Sequence, residues 1–224
     1  LSISLNKEKT GLVCKNGSGK TTLLRLLVGE LEPTKGKIQR NGNIAYLPQD
    51  YQLNLQQTIP EALGVKEKLE ALDKVRSENK NQELLEIVGD DWDIESRISK
   101  TFEKLKIVGL DFSRPLSSLS GGERTKIVIA KLLISEPEFI ILDEPTNNLD
   151  HDSRKIIYEL IDNWQHGLLV VSHDRNLLNL LDQILELSNG KLRIYGGNYD
   201  SYKEQKELEE QAAKRQLVSA EQEL

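Results

Sequence analysis

The chain has 224 residues, of which 38% are hydrophobic, and this suits one large domain or two small ones with a buried core. A formal net charge of -6 excludes a protein whose whole surface binds nucleic acid, while a local basic patch stays open. The single cysteine excludes an internal disulfide framework and favours a reducing cytoplasm.

Two further features concern the extent of the chain. No run of about 18 apolar residues is present, so the sequence predicts no transmembrane segment in this chain. The chain begins with Leu1 inside an alternating segment and contains no methionine. We therefore expect it to be a piece of a longer polypeptide.

The first fifty residues predict a strand, a glycine-rich loop and a helix, followed by a hairpin. The helix carries leucines at helical spacing, and Asn41-Gly42 is a strong signal for a tight turn between two strands. We predict strands at residues 1–5, 11–14, 37–40 and 43–47, and a helix from Lys20 to about Glu30.

Residues 58–110 predict a helical insert. Thr58 can cap its first helix, with Glu61 three residues later. Acidic residues outnumber basic ones in this insert, so its charge favours a solvated helical face over an RNA-binding arm. The predicted helices cover residues 58–76, 79–88 and 94–108.

The α/β alternation resumes after residue 119. Residues 203–224 are charged, contain no glycine and have few apolar positions, so we expect a helical linker that does not pack on its own domain. The remaining predictions are strands at 139–142, 168–171, 183–187 and 192–195, and helices at 151–164 and 174–181.

The segment KNGSGKTT has the composition of a phosphate-binding loop. Its glycines let successive backbone N–H groups point at phosphate oxygens at the start of a helix. Lys20 would neutralise the β- and γ-phosphates, and the Thr21 hydroxyl is placed to ligate magnesium. Cys14 stands where the standard pattern has its first glycine, at the strand exit, and we expect this departure to be tolerated.

An apolar strand, FIIL, leads into Asp143-Glu144. Ligands of open α/β sheets bind at the carboxyl edge, where these carboxylates would emerge. One carboxylate there can hold a metal ion through water, and its neighbour can polarise an attacking water molecule.

A second glycine-rich turn, LSGGE, precedes this strand. Ser120 and Glu123 form a capping box, which stabilises the following helix by about 1 kcal/mol. The box does not explain Gly121 and Gly122, which are poor helix formers and would let a phosphate approach bare backbone.

These motifs together resemble the ATP-binding cassette (ABC) ATPases. GSGKT, Gln49 after a strand, LSGGE, FIILDE, NNLD and Ser172-His173 occur in the family's order over nearly the whole chain. The resemblance implies an α/β fold, a P-loop NTPase of ABC type with a mostly parallel core sheet, an antiparallel β portion and a helical subdomain. The implied domains are residues 1–50 and 119–202 as the two parts of the core, 51–118 as the helical subdomain, and 203–224 as the start of an interdomain linker.

The resemblance also implies a role for each site residue. Family cassettes work as head-to-tail pairs and use ATP and Mg²⁺, so the expected partner is a second cassette on the same polypeptide or in a homodimer. Glu144 would orient or deprotonate the attacking water, and His173 would contact the γ-phosphate. The other expected roles are ATP binding by Asn16, Gly17, Ser18, Gly19, Lys20, Thr21 and Thr22; magnesium binding by Thr21, Gln49 and Asp143, with Lys20 and Gln49 also in catalysis; closure on the partner's ATP by Ser120, Gly121, Gly122 and Glu123; and Asp150 at the pair interface.

EPTNNLD followed by SHDR resembles the F subfamily (ABC-F), whose members are soluble, carry two cassettes and in many cases act on ribosomes. The resemblance favours the first cassette of such a protein, with the ribosome or its RNA as partner. The aromatic residue that stacks on adenine in the family lies upstream of the phosphate loop and outside this chain.

Two other functions stay open. The chain could be the ATPase subunit of a membrane transporter, with the helical insert docking a membrane protein. It could also be a weakly hydrolysing module that responds to ATP, if Cys14 impairs the phosphate loop.

Overall fold

The computed structural model describes residues 2–15, 17–77, 81–147 and 149–222. The chain forms two compact units. The first, here called the core unit, consists of Leu1–Gln49, Glu138–Asn147 and Tyr158–Leu224. The second, the helical unit, consists of Asp50–Pro137 and Asn148–Ile157. Residues 119–137 therefore cluster with the helices, whereas the sequence prediction counted them with the core.

A six-stranded mixed sheet organises the core unit. Its spatial order is β2-β3-β4-β1-β5-β6, in which the first five strands are parallel and β6 is antiparallel to β5. The predicted α/β class, with a mostly parallel sheet and an antiparallel portion, is confirmed. The strands are β1 Lys9–Cys14, β2 Ile44–Leu47, β3 Phe139–Asp143, β4 Gly167–Val171, β5 Gln183–Ser188 and β6 Lys191–Gly196.

The helices are distributed over both units. Those of the core unit are α1 Lys20–Val28, α8 Arg175–Leu178 and α9 Tyr199–Gln222, and α7 His151–Asp162 runs through both units. Those of the helical unit are α2 Ile59–Leu63, α3 Lys66–Arg76, α4 Gln82–Val88, α5 Ile94–Lys104 and α6 Gly121–Ile134.

Apolar burial fixes α1 on the sheet. Leu23 and Leu24 pack against Leu12 of β1, and neighbouring strands contribute Ile141 and Leu169 to the same buried cluster. Each fully buried leucine contributes about 2 kcal/mol relative to exposure, so this cluster holds the start of α1 close to the end of β1.

The helices of the insert differ from the prediction at their ends. The predicted helix 58–76 is broken at Gly64, whose φ of 74° ends α2 with backbone hydrogen bonds to Glu61 and Pro60. The predicted helix 94–108 ends at Lys104, and Lys106 has a φ of 52°. Residues 79 and 80 lie outside the described residues.

The predicted hairpin around Asn41-Gly42 is wrong in its first half. Residues 37–40 form no strand, and among the described residues no strand pairs with them. Arg40 instead donates hydrogen bonds to the carbonyl oxygens of Leu26 and Leu27 at the end of α1, at 2.6 and 2.9 Å. Those bonds satisfy helix-end carbonyls. Residues 2–5 also lack strand structure.

The base of the linker helix is attached to its own domain, which the sequence prediction did not include, while the side chains of residues 207–215 are exposed. Helix α9 begins at Tyr199, and Lys206 donates to Glu186 of β5 at 2.9 Å. The Tyr202 hydroxyl donates to the other oxygen of Glu186 at 3.1 Å. Burial, and then the Glu186 charge, raise the pKa of Tyr202. The base of α9 is therefore fixed by polar contacts to Glu186, which the pattern of apolar residues cannot predict.

No helix among the described residues is both long enough and apolar enough to cross a membrane.

Gly167 at the start of β4 leaves no room for a side chain. A Cβ there would lie 2.1 Å from the carbonyl oxygen of Asn6 and 2.4 Å from the Phe139 ring. We expect Gly167→Ala to lower the free energy of unfolding by about 2 kcal/mol, because a strand or a ring must shift. Urea denaturation measures this. Gly196→Ala in β6 is the control, since no described heavy atom lies within 4 Å of its Cβ; an equal loss in both variants would contradict the explanation.

Candidate functional site

The phosphate loop connects the end of β1 to the start of α1. Gly17 and Gly19 adopt left-handed φ angles of 78° and 93°, which other residues rarely adopt. Gly19 is the N-cap of α1 and has no side chain to occupy the first N–H groups of the helix. Among the described residues no side chain caps this nine-residue helix, so its first N–H groups and its positive dipole end are suited to bind an anion.

The predicted loop residues border one cavity. Gly17, Gly19, Lys20, Thr21 and Thr22 line a cavity of about 630 Å³ at the carboxyl ends of β1, β4 and β5. No described heavy atom lies within 4 Å of a Cβ built on either glycine, so their backbone is open to this space. Asn16, which was predicted to bind ATP with them, lies outside the described residues.

Ser18 and Cys14 differ in their surroundings. The Ser18 hydroxyl is buried and has no hydrogen-bond partner within the described residues. Cys14 is the last residue of β1, half-buried, and packs against the apolar cluster beneath α1. The thiol fills a place in the packing, although Cys14 also borders the cavity.

Lys20 faces the two buried carboxylates that end β3. Its ammonium lies 3.2 Å from Asp143 Oδ1 and 3.8 Å from Glu144 Oε1. Only 3% of each carboxylate side chain is exposed. Within the described residues, neither of these two oxygens has a hydrogen-bond partner. The Lys20 ammonium compensates part of this buried charge, and the two oxygens can still accept hydrogen bonds from a ligand or coordinate one.

The charge of Asp143 also affects the pKa of a tyrosine on β2. The pKa of Tyr46 rises to about 12, first because the phenol is buried and then because Asp143 lies nearby.

Glu144 is held in an uncommon backbone conformation. Its φ is 51°, in the left-handed region that residues other than glycine seldom occupy. Its N–H donates to the carbonyl oxygen of Val171 at 2.8 Å, which fixes it beside the end of β4. The Glu144 side chain therefore has a set direction at the edge of the sheet.

His173 lies against the same carboxylate. Its backbone N–H donates to Glu144 Oε2 at 3.3 Å, and its Nε2 lies 3.4 Å from Glu144 Oε1. The imidazole is 73% exposed, so it also faces solvent. The structure thus brings Lys20, Asp143, Glu144 and His173 together.

Gln49 follows β2 and lies at the same edge of the sheet. Leu47 pairs with Leu142 in the parallel β2–β3 ladder, so Gln49 and Glu144 each follow that pair by two residues. The Gln49 side chain is exposed.

The oxygen donors of the site suit magnesium, which needs few protein ligands, better than a metal ion that is coordinated entirely by side chains. Among the described residues, no group of three or more His, Cys, Asp or Glu side chains could hold a metal ion. A hydroxyl at Thr21, an amide at Gln49 and a carboxylate at Asp143 are hard oxygen donors. Mg²⁺ usually takes few protein ligands and completes its octahedron with water and phosphate oxygens.

The LSGGE turn starts α6 in the helical unit. Ser120 is its N-cap and accepts from the backbone N–H of Glu123 at 3.3 Å, while Glu123 accepts from the N–H of Ser120 at 2.7 Å. The hydrogen bond from the Ser120 backbone is the largest cause of the lowered pKa of Glu123. The predicted capping box is present, so Glu123 has a structural role in this turn.

Gly121 and Gly122 have space around them. A Cβ on Gly121 would lie 3.9 Å from Asp150 Oδ2, and one on Gly122 would lie 3.7 Å from the Ser153 hydroxyl. Both distances are ordinary contacts, so packing within the helical unit does not require glycine. Asp150 itself is exposed, and its pKa is lowered mainly by the backbone N–H of Ser153, which donates to it at 2.8 Å.

The sequence analysis missed two features of this site. Tyr199, Tyr202, Lys203 and Lys206 of α9 also line the cavity, although residues from 203 onward were expected to leave the domain. The Tyr158 hydroxyl hydrogen-bonds to Asp174, the residue after His173. No spacing in the sequence signals either feature, since both depend on which helices the fold places beside the sheet.

Comparison with known proteins gives a consistent family. Residues 1–147 match the family model described as ABC transporter. The energy-dependent translational throttle protein EttA of Mycobacterium tuberculosis is 33% identical over 218 residues, which cover 88% of this chain and 39% of that protein. The ABC transporter F family member 5 of Arabidopsis thaliana is 31% identical over 221 residues, with coverage of 87% and 32%. The predicted resemblance to the F subfamily is confirmed.

Solved structures agree on the fold. An ATP-binding subunit of an ABC transporter has a TM-score of 0.66 and 22% identity, covering 92% of this chain and 85% of its own. An archaeal ribosome recycling factor in complex with a ribosomal stalk protein has a TM-score of 0.57 and 29% identity, covering 85% and 34%. The chain spans less than half the length of the curated relatives described above.

Proposed function

Because the chain belongs to the ABC transporter family, we propose that it is an ATP-hydrolysing cassette of an F-subfamily protein that acts in translation. The observation that carries the proposal is the contact of the Lys20 ammonium with two buried carboxylates at the edge of the sheet. The site is built for a polyphosphate with a divalent cation, since it combines free helix N–H groups, one ammonium and buried acceptor oxygens.

Different residues of the chain bind the phosphates and the magnesium ion in this proposal. Gly17, Gly19 and the first turn of α1 bind phosphate oxygens through backbone N–H groups, and Lys20 neutralises their charge. Thr21, Asp143 and Gln49, which follows β2 by two residues, would hold magnesium directly or through water. When bound, Mg²⁺ polarises the terminal phosphate and offsets negative charge that develops during hydrolysis.

Glu144 orients the attacking water. Its Oε1 is buried without a hydrogen bond among the described residues, and its backbone is fixed by Val171. His173 lies on the exposed side of this carboxylate, where it can contact the γ-phosphate and the water. Asn16, Ser18 and Thr22 belong to the same proposed phosphate-binding loop.

A second cassette completes the pocket in this proposal. Ser120, Gly121, Gly122 and Glu123 close on the ATP of the partner, and Asp150 lies at the pair interface. The support is the space at Gly121, because neither packing nor helix propensity explains a glycine there. The partner cassette lies on the same polypeptide or in a second copy.

The translational role rests on the relatives. One is named an energy-dependent translational throttle protein, and another is an F-family member. We infer that the whole protein works in the cytoplasm, and that ATP closes its cassette pair and hydrolysis reopens it on a bound ribosome. The ATP-binding subunit of an ABC transporter described above is 22% identical, so its likeness concerns the fold and gives no support for a membrane partner.

Glu144→Gln should retain nucleotide binding and lower ATP turnover by about 100-fold or more. The amide keeps the size of the side chain but cannot act as a base. Equilibrium binding of ATP and steady-state phosphate release measure the two effects. Asp152→Asn on the exposed start of α7 is the control. Near-normal hydrolysis by Glu144→Gln would remove Glu144 from its proposed role.

Gly121→Ala should separate folding from function. We expect the free energy of unfolding to stay unchanged or to rise by up to about 1 kcal/mol, since alanine favours the helix and meets only Asp150. ATP hydrolysis should fall at least about tenfold, because the methyl group occupies the face that approaches the partner's phosphate. Urea denaturation and phosphate release provide the two measurements. Unchanged hydrolysis would show that no ligand approaches this turn.

The full-length protein that carries Glu144→Gln should cosediment with ribosomes in the presence of Mg²⁺ and ATP, since slow hydrolysis prolongs the ATP-bound state. The comparison is the wild type with ADP, which should remain mostly in the supernatant. Recovery with membranes after the ribosomes have been removed would instead support the transporter alternative.

A further inference from the structure

The loop that carries His173 begins with buried residues but leaves the imidazole outside the packing. It lies between the end of β4 at Val171 and the start of α8 at Arg175, and the imidazole itself is 73% exposed. An exposed ring gains little orientation from burial, so its direction depends on the backbone of the loop. The groups that hold that backbone are therefore of functional interest.

Asp174 is the main polar anchor of this loop. Its Oδ1 accepts from the N–H groups of Asn176 and Leu177 at 3.0 and 3.4 Å, which caps α8. Its own N–H donates to the buried hydroxyl of Ser172 at 3.0 Å. These bonds determine the local turn, but all of them lie within six residues of chain.

The second oxygen of Asp174 is tied to a distant helix. The Tyr158 hydroxyl of α7 donates to Asp174 Oδ2 at 2.5 Å, across 16 positions of sequence. A hydrogen bond to a carboxylate is stronger than one between neutral groups and is short in this case. Tyr158 is thus the long-range contact that secures the residue directly after His173.

The far end of α8 is secured in a similar way. The Asn179 side chain donates to Asp200 of α9 at 3.0 Å, and the backbone N–H of Asp200 donates back to Asn179 Oδ1 at 3.0 Å. Both ends of this four-residue helix are therefore attached to other helices. The loop before it is held at one end by β4, at His173 by the backbone N–H bond to Glu144, and at the other end by the Tyr158–Asp174 bond.

We propose that Tyr158 is a positioning residue for hydrolysis: through Asp174 it holds the His173 loop so that the imidazole meets Glu144 and the γ-phosphate. This rests on the proposed function, because His173 acts only if ATP is hydrolysed at this site. In this proposal Tyr158 acts on the reacting atoms only through the backbone between Asp174 and His173.

Tyr158→Phe removes the hydroxyl and keeps the ring. In the full-length protein we expect kcat for ATP hydrolysis to fall about fivefold, while KM and the affinity for ATP stay within twofold. Tyr195→Phe is the matched control, because it also removes a hydroxyl bonded to a carboxylate in the core unit, that of Glu186. We expect less than a twofold change in kcat for Tyr195→Phe. Asp174→Asn keeps a good N-cap but loses the charged acceptor, and should reproduce the loss seen in Tyr158→Phe.

Coupling to His173 separates positioning from general stability. In a His173→Ala background, adding Tyr158→Phe should change kcat by less than twofold, since the group being positioned is absent. An equal fivefold loss in both backgrounds, or a kcat for Tyr158→Phe within twofold of wild type, overturns the proposal.

A spectroscopic measurement tests positioning without turnover. The His173 imidazole signal of nitrogen-15-labelled protein is the one that disappears in His173→Ala. Without nucleotide, it should shift or broaden in Tyr158→Phe while the other histidine signals stay unchanged. An unchanged His173 signal contradicts the proposal. If the wild-type protein does not hydrolyse ATP, the proposed function is contradicted instead. The His173 spectrum is then the measurement that tests whether Tyr158 positions His173.

Discussion

The ion pair of Lys20 with Asp143 and Glu144 is the interaction on which the site depends. Two carboxylates that are almost fully buried are costly unless a charge or a ligand compensates them. The sheet places them there because β3 lies two strands from β1, with β4 between. Lys20 reaches them because buried leucines hold the start of α1 close to the end of β1. Apolar packing thus sets the distance at which the charges meet.

The helical unit supplies a separate surface with its own polar arrangement. Its α6 helix begins with a reciprocal capping box, and the two glycines of its first turn have space around them. The cap holds the first turn in place, while the missing side chains leave its backbone open to approach. The capping residues therefore stabilise the turn, and the glycines leave its backbone accessible.

Sequence reasoning predicted the strand, loop and helix unit and the position of the two carboxylates after β3, because these signals are local. Strand, glycine loop and helix follow one another within 20 residues, and Asp143-Glu144 follows an apolar strand directly. It failed where the outcome depends on distant partners. Residues 37–40 have strand character but find no strand beside them among the described residues. Gly64 ends a helix because the chain turns there. Tyr158 stands in an ordinary helix, and only the fold places it against Asp174.

Anchoring of α9 through Lys206 and Tyr202 to Glu186 has a mechanical consequence. Glu186 pairs with Val13, one residue before the end of the strand that leads into the phosphate loop. A helix of 24 residues is about 36 Å long, so a tilt of 10° at its base would move its tip by about 6 Å. The two anchors lie about 6 Å apart along the helix, so a displacement of about 1 Å between them, beside the strand that leads into the phosphate loop, corresponds to this tilt and to a roughly sixfold larger movement at the tip.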